Sequence, residues 1–324
     1  MFAVLIVITD LTQVETLWKH GRPLQCALAA SLSIPVIVVK AWRWRLMLNR
    51  QGIRCGPAAS TRHYAIACAL GAWTPGRIGD FSKALALRRE FKVGPGRAAS
   101  SVIADRLLDA LLLGAVAACG AVSLAGGHDT LLFAASATAV SGVAWLVIRL
   151  VHAGSVPALR RAARWCLSPA RRAVQGFGAA GDECRAAMED LAVLLRPRWG
   201  TIGATFLAAL IVWLQGWIMA RGLGMSVDIL PLAIALSASS ITSLIPISVA
   251  GFGTREATLA LFLVPVGVTM PQVIGFSLAY FVVISGTVAL IGALAWTLNP
   301  RSPGEARASA VAPDSRDATD TRPV

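Results

Sequence analysis

Charge is scarce in this sequence. Asp, Glu, Lys and Arg make up 15% of its 324 residues, against roughly a quarter in soluble domains, which excludes a solvated surface over most of the chain. Acid is the scarcer sign, with 17 Asp and Glu against 30 Lys and Arg. Catalytic and metal signatures are missing as well. The six cysteines (Cys26, Cys55, Cys68, Cys119, Cys166 and Cys184) are scattered without a C-x-x-C pair, as expected of buried or cytosolic free thiols. The four histidines (His20, His63, His128 and His152) are isolated, so no H-E-x-x-H or similar ligand pattern exists and no metal is expected. No G-x-S-x-G elbow, Walker loop or dinucleotide fingerprint occurs, which removes familiar soluble catalytic machinery and leaves no cofactor indicated.

What the chain has instead is apolar length. Hydrophobic residues make up 56% of it and the mean hydropathy is +0.66, which places it in the membrane class. A formal charge of +13 attracts phosphate of any origin. Here the Lys and Arg fall between apolar runs, the pattern of positive-inside topology. A basic face turned to anionic lipid is the expectation, and nucleic acid is not.

A spanning helix needs about 20 apolar residues to cross about 30 Å. Met1–Thr9 is too short for that, and reads as the tail of a helix starting further upstream or as an interfacial segment. A cleaved signal peptide fits less well, since no basic stretch precedes the run. Leu24–Leu48 spans and ends in Lys40-Ala-Trp-Arg-Trp-Arg45, where aromatic and basic residues together mark a cytoplasmic interface. Arg62–Trp73 is short, breaks at Pro75-Gly76, and continues amphipathically from Arg77 to Lys92, which suits a re-entrant half-helix. Val102–Leu124 spans with Asp105, Arg106 and Asp109 in its first turns, and Leu131–Leu150 spans back. The segment 151–199, with eight Arg against four acids, is expected in the cytoplasm, with helical stretches such as Asp182–Leu195 along the membrane surface. Trp199–Arg221 spans, Ile229–Val249 is bent by Pro231 and Pro246, Ala257–Val268 is short, and Gln272–Leu298 spans. Residues 1–298 thus form a membrane domain, and 299–324 a disordered cytoplasmic tail. The fold class is all-α integral membrane, with about seven spans plus re-entrant or broken half-helices.

Charged side chains inside such segments cost about 2.5 to 3.5 kcal/mol each on insertion scales and usually mark a pathway. Three groups qualify. Pro75-Gly-Arg-Ile-Gly-Asp80 interrupts a helix and sets Arg77 and Asp80 at i, i+3; a broken helix offers N–H groups and a dipole end to an anion, while a plain cytoplasmic turn is the blander alternative. Asp105 and Asp109 share a face with Arg106 beside them, so an internal ion pair is available; its plainer role is to hold the helix near the interface. Gly251-Phe-Gly-Thr-Arg-Glu256 opens a helix with Arg255 and Glu256, set deep by the apolar sequence on both sides, although an exposed loop is also open. The first and third groups read as one device used twice: a short apolar helix, a Pro and Gly break, an Arg and an acid, and a second short helix. Paired broken helices point to a repeat-built transporter, here a possible inverted repeat. From an outer Asp228 the chain reaches a cytoplasmic tail by three crossings, or by one after a re-entrant pair. The shortness of Ala257–Val268 favours the re-entrant route.

The run Trp42-Arg43-Trp44-Arg45, then Gly76-Arg-Ile-Gly-Asp80, Asp105-Arg-Leu-Leu-Asp109 and Gly251-Phe-Gly-Thr-Arg-Glu256, resembles the lysylphosphatidylglycerol synthase transmembrane-region family of flippase-like membrane proteins, over roughly Leu24–Leu298. Asp105 stands where that family more often has Glu. The resemblance implies the lipid-translocating part without an aminoacyl-transferase domain, in the inner cell membrane.

The expectation that follows is translocation of an anionic phospholipid or lipid-linked envelope precursor. Arg77, Arg106 and Arg255 would hold phosphate, and Asp80, Asp109 and Glu256 would organise those arginines or take a coupling proton. Arginine suits this work because its fork binds phosphate bidentately and stays charged when buried. Two rivals remain open: an integral-membrane enzyme on a lipid-linked sugar or phosphate, with Asp105 and Asp109 as its one acidic pair, and an accessory subunit that anchors an envelope biosynthesis enzyme.

Overall fold

The computed structural model describes residues 21–126, 187, 190–191, 193–196, 198–243 and 253–298, and every regular element among them is helical. The Met1–Thr9 run, the Leu131–Leu150 run, most of the basic 151–199 segment and the 299–324 tail lie outside the described residues.

Helices α1 (Pro23–Ser31) and α2 (Ser33–Arg50) form a rod of 28 residues. Proline opens α1, where its missing N–H would be unpaired anyway. Pro35 cannot donate to the Ser31 carbonyl, and the helix breaks just there, at Leu32. The single span expected over Leu24–Leu48 is therefore two helices laid end to end. Helix α3 (Pro57–Trp73) stops because the residue before a proline is pushed out of the helical region: Thr74, ahead of Pro75, is extended at φ −103°, ψ 141°. A 3-10 turn follows over Pro75–Phe81, with Gly76 and Arg77 both left-handed at φ 58° and 57°, and the Gly79 N–H donates to Thr74 Oγ1 at 2.8 Å. Helix α4 (Ser82–Phe91) completes this first broken unit.

Helix α5 (Pro95–Gly126) is 32 residues long, about 48 Å at 1.5 Å per residue. It starts earlier than Val102, because the polar turn Arg97–Ser101 is helical although not apolar, so Asp105 lies ten residues in from the start rather than in the first turns. Helix α6 (Trp199–Gly222) matches the expected span. Helices α7 (Ile229–Thr242) and α8 (Thr254–Leu263) have 14 and 10 residues, about 21 and 15 Å, so neither alone crosses a bilayer. All of α7 from Leu232 to Ser239 is buried, as befits a half-helix inside a bundle. Helix α9 (Met270–Tyr280), a π turn at Phe281–Ser285 and α10 (Gly286–Thr297) make the last long run, 28 residues in all.

Among the described residues, Pro23–Arg50, Trp199–Gly222 and Met270–Thr297 are long and apolar enough to cross a membrane. Leu24, Phe206, Leu210 and Leu290 stay exposed, a lipid-facing arrangement in such helices. The bundle has two cores. One gathers α2 to α5 around Trp44, Leu87 and Val102; the other gathers α6 to α9 around Met219, Leu232 and Phe276. They are joined where a small residue allows close approach: a Cβ on Gly120 of α5 would strike Ile234 of α7. In the first core, α10 lies as close on α3, where a Cβ on Gly292 would strike Ala69.

The first break depends on glycine in the same way. A Cβ on Gly79 would run into the Leu70 carbonyl and the Gly71 amide, which are backbone and cannot swing aside. Gly79→Ala is therefore expected to lower the unfolding temperature in detergent micelles, by an overpacking cost of about 1 to 3 kcal/mol. Gly114→Ala, where nothing lies within 4 Å, leaves it unchanged or slightly raised. Equal melting of both variants would refute this packing of the turn on α3.

Candidate functional site

Both breaks open on one cavity of about 280 Å3. Thr74, Gly76 and Arg77 reach it from the first break, and Ser243 and Arg255 from the two sides of the second. Lys40, Arg106 and Asp109 line it from α2 and α5, and Leu113, Val212, Phe281 and Val288 supply apolar wall. Of the six residues singled out from sequence, Arg77, Arg106, Asp109 and Arg255 line this cavity together. Asp80 and Glu256 are buried behind the arginines they pair with.

Asp80 faces two arginines. Arg106 Nη2 lies 2.6 Å and Arg77 Nε 3.5 Å from its Oδ2. These contacts are ionic rather than aligned, since neither Asp80 oxygen receives a well-directed hydrogen bond. The pairing expected within α5 between Arg106 and Asp109 is not the one made. Arg106 turns across to Asp80, and Asp109 turns to α2, taking Lys40 Nζ at 2.8 Å and Arg43 Nη1 at 2.6 Å. Neighbours along one helix compete poorly here with a cation delivered head-on from a packed partner.

Beneath the cavity wall is a cluster that the sequence reading did not assemble. Arg43 and Trp44, expected at an interface, are both fully buried. Arg43 uses all five of its N–H donors: Nε and Nη2 to Asp105 Oδ1 at 3.1 and 2.7 Å, Nη2 to the Asp105 carbonyl at 3.2 Å, and Nη1 to Asp109 and to Thr205 Oγ1 at 3.1 Å. Asp105 Oδ2 accepts from Lys83 Nζ at 2.6 Å and from the Tyr64 hydroxyl at 2.9 Å. The Lys83 ammonium also sits 4.2 Å from the Tyr64 ring centre and 5.4 Å from that of Trp44, within cation–π range. A buried charge is tolerated only when paired and hydrogen-bonded, and this cluster meets both conditions. A signal for Lys83 was present: it shares a helix face with the buried Ala84 and Leu87.

The second break is held by its own acid. Glu256 Oε2 accepts the Gly253 N–H at 2.6 Å, closing the start of α8. Its Oε1 accepts Ser277 Oγ at 2.5 Å and Arg255 Nη2 at 3.2 Å. Arg255 is turned further by Ser277, donating Nε to its Oγ at 2.8 Å and Nη2 to its carbonyl at 3.0 Å. Tyr280 lines the same cavity as Arg255 and Arg77, which ties the two breaks to one region. Arg77 itself, a non-glycine residue at positive φ, pays roughly 1 to 2 kcal/mol for that backbone. Strain of this kind persists where the surroundings demand it and is frequent at functional sites.

An all-α membrane protein with ionisable groups gathered at two helix breaks is the class that this geometry defines. The chain belongs to the family of the lysylphosphatidylglycerol synthase TM region, whose profile matches residues 1–292, and so to a group of membrane proteins that handle lipid. No curated protein and no solved structure matches it.

Proposed function

We propose that this chain moves an anionic phospholipid, or a lipid-linked envelope precursor, between the leaflets of the inner cell membrane. The observation that carries the reading is the cavity itself, with cations delivered from both helix breaks and apolar side chains on its walls. Such a site matches the two ends of a lipid: guanidinium forks for phosphate oxygens and apolar surface for the glycerol and first methylenes. Arg77, Arg106 and Arg255 hold the phosphate; Asp80 and Glu256 orient those arginines, and Asp109 fixes Lys40. No ATP-binding loop occurs in the sequence, so the driving force is taken as a gradient, a partner or the lipid's own imbalance.

Purified full-length protein in liposomes tests the reading. A fluorescent anionic phospholipid placed in the inner leaflet is followed by quenching from outside, and the lipid is then recovered for mass spectrometry. Transfer faster than in protein-free vesicles, with the lipid chemically unchanged, is the expected result. A covalently altered lipid would move the assignment to an enzyme, and neither change would move it to an accessory subunit of an envelope pathway.

A further inference from the structure

Cations outnumber carboxylates around this cavity, and the surplus falls on the side chains that face it. Arg43 and Lys83 are fully buried and are matched by Asp105 and Asp109, two charges against two. Arg255 and Glu256 form a neutral pair of their own. Lys40, Arg77 and Arg106 remain, with side chains 19, 41 and 20% exposed, and the carboxylate left to balance them is Asp80. Lys40 does touch Asp109, but Asp109 is shared with the sealed Arg43. Among the described residues the network therefore carries two more positive charges than negative ones.

Charge left uncompensated among apolar walls is costly, and a ligand is the natural means of cancelling it. A phosphodiester brings one negative charge and would leave one cation unmatched. A phosphomonoester, or a diphosphate esterified at both ends, brings two, and offers more anionic oxygens than a phosphodiester does. Donors for them exist: Lys40, Arg77 and Arg106 all line the cavity with part of each side chain exposed. At about 280 Å3 the cavity lies at the low end of small-ligand sites, room for a headgroup with the lipid tail outside.

We infer that the headgroup held here is a dianion, a phosphomonoester or a diphosphate esterified at both ends, in preference to a phosphodiester. The inference rests on the anionic-lipid reading above and narrows it. Full-length protein in neutral detergent micelles at pH 8, where a phosphomonoester is doubly ionised, is titrated separately with phosphatidic acid, phosphatidylglycerol and inorganic pyrophosphate, and each dissociation constant is measured. Phosphatidic acid should bind at least about tenfold more tightly than phosphatidylglycerol. In Arg77→Gln, which leaves a surplus of one charge, that ratio should shrink to within about threefold. Arg77 is the most exposed of the three cations, and ligand-free unfolding temperatures check that the variant is folded; Lys40→Gln repeats the test if it is not. Equal affinities of the wild type for the two lipids would overturn the dianion inference and leave the lipid reading standing. Binding of pyrophosphate without either lipid would mark a site for free polyanions and overturn both the dianionic-headgroup inference and the lipid reading. Binding of none of the three would overturn both.

Discussion

Asp105→Asn is expected to remove most of the folded protein from the membrane. The side chain is fully buried and accepts hydrogen bonds from Arg43, Lys83 and Tyr64. Asparagine keeps the shape but turns one acceptor into a donor aimed at cations, and leaves Asp109 as the sole carboxylate against Arg43, Lys83 and Lys40. Breaking a buried pair in this way costs about 3 to 5 kcal/mol, a large part of a typical total of about 5 to 15 kcal/mol. Membrane abundance by immunoblot and unfolding in micelles should both fall sharply. Adding Lys83→Met to Asp105→Asn removes one stranded cation and should recover part of the loss. Asp190, whose partner Arg97 is half exposed, provides the contrast: Asp190→Asn should cost no more than about 1 kcal/mol. Normal abundance and stability of Asp105→Asn would show that the cluster does not hold the bundle.

The second large effect separates activity from folding at the other break. Arg255→Lys keeps a positive charge beside Glu256 but cannot bond both the hydroxyl and the carbonyl of Ser277 while also presenting a fork to the cavity. Lipid transfer should fall about 10- to 100-fold, the scale of one or two charge-assisted hydrogen bonds, with abundance near normal. Glu256→Gln should do the reverse. It weakens the closure of α8 at Gly253 and leaves Arg255 without its carboxylate, so abundance falls before any transfer defect is measurable. If Arg255→Lys transfers lipid at the wild-type rate and abundance, Arg255 is not on the lipid's route.

What sequence could reveal here follows from what is local. The long apolar runs mark α6 and the α9–α10 pair within a residue or two, because hydropathy and the bilayer thickness are both properties of a segment. The break at Pro75 is legible for the same reason: proline acts on the residue just before it. Arg77, Arg106 and Arg255 stand out because charge in an apolar setting is rare. Ion-pair partners are not local. Arg43 meets Asp105 across 62 positions and Thr205 across 162, distances that no window of sequence spans. Arg43 and Trp44 also carry the composition of an interface belt, and their burial comes from α5 and α6 packing over that face. The early start of α5 was hidden because Arg97–Ser101 is polar, and hydropathy sees a span rather than a helix.

The central claim is that a lipid headgroup enters the cavity between the two breaks. The measurement that meets it most directly uses an anionic phospholipid with a photoactivatable group on its headgroup, mixed into membranes holding the full-length protein. After irradiation, the modified peptides are read by mass spectrometry with and without excess unlabelled lipid. Adducts that the excess lipid displaces are predicted on the cavity-lining stretches, at 74–77 and 239–243. Label confined to outward apolar positions such as Leu24, Trp199 and Leu290, and undiminished by competitor, would contradict the account.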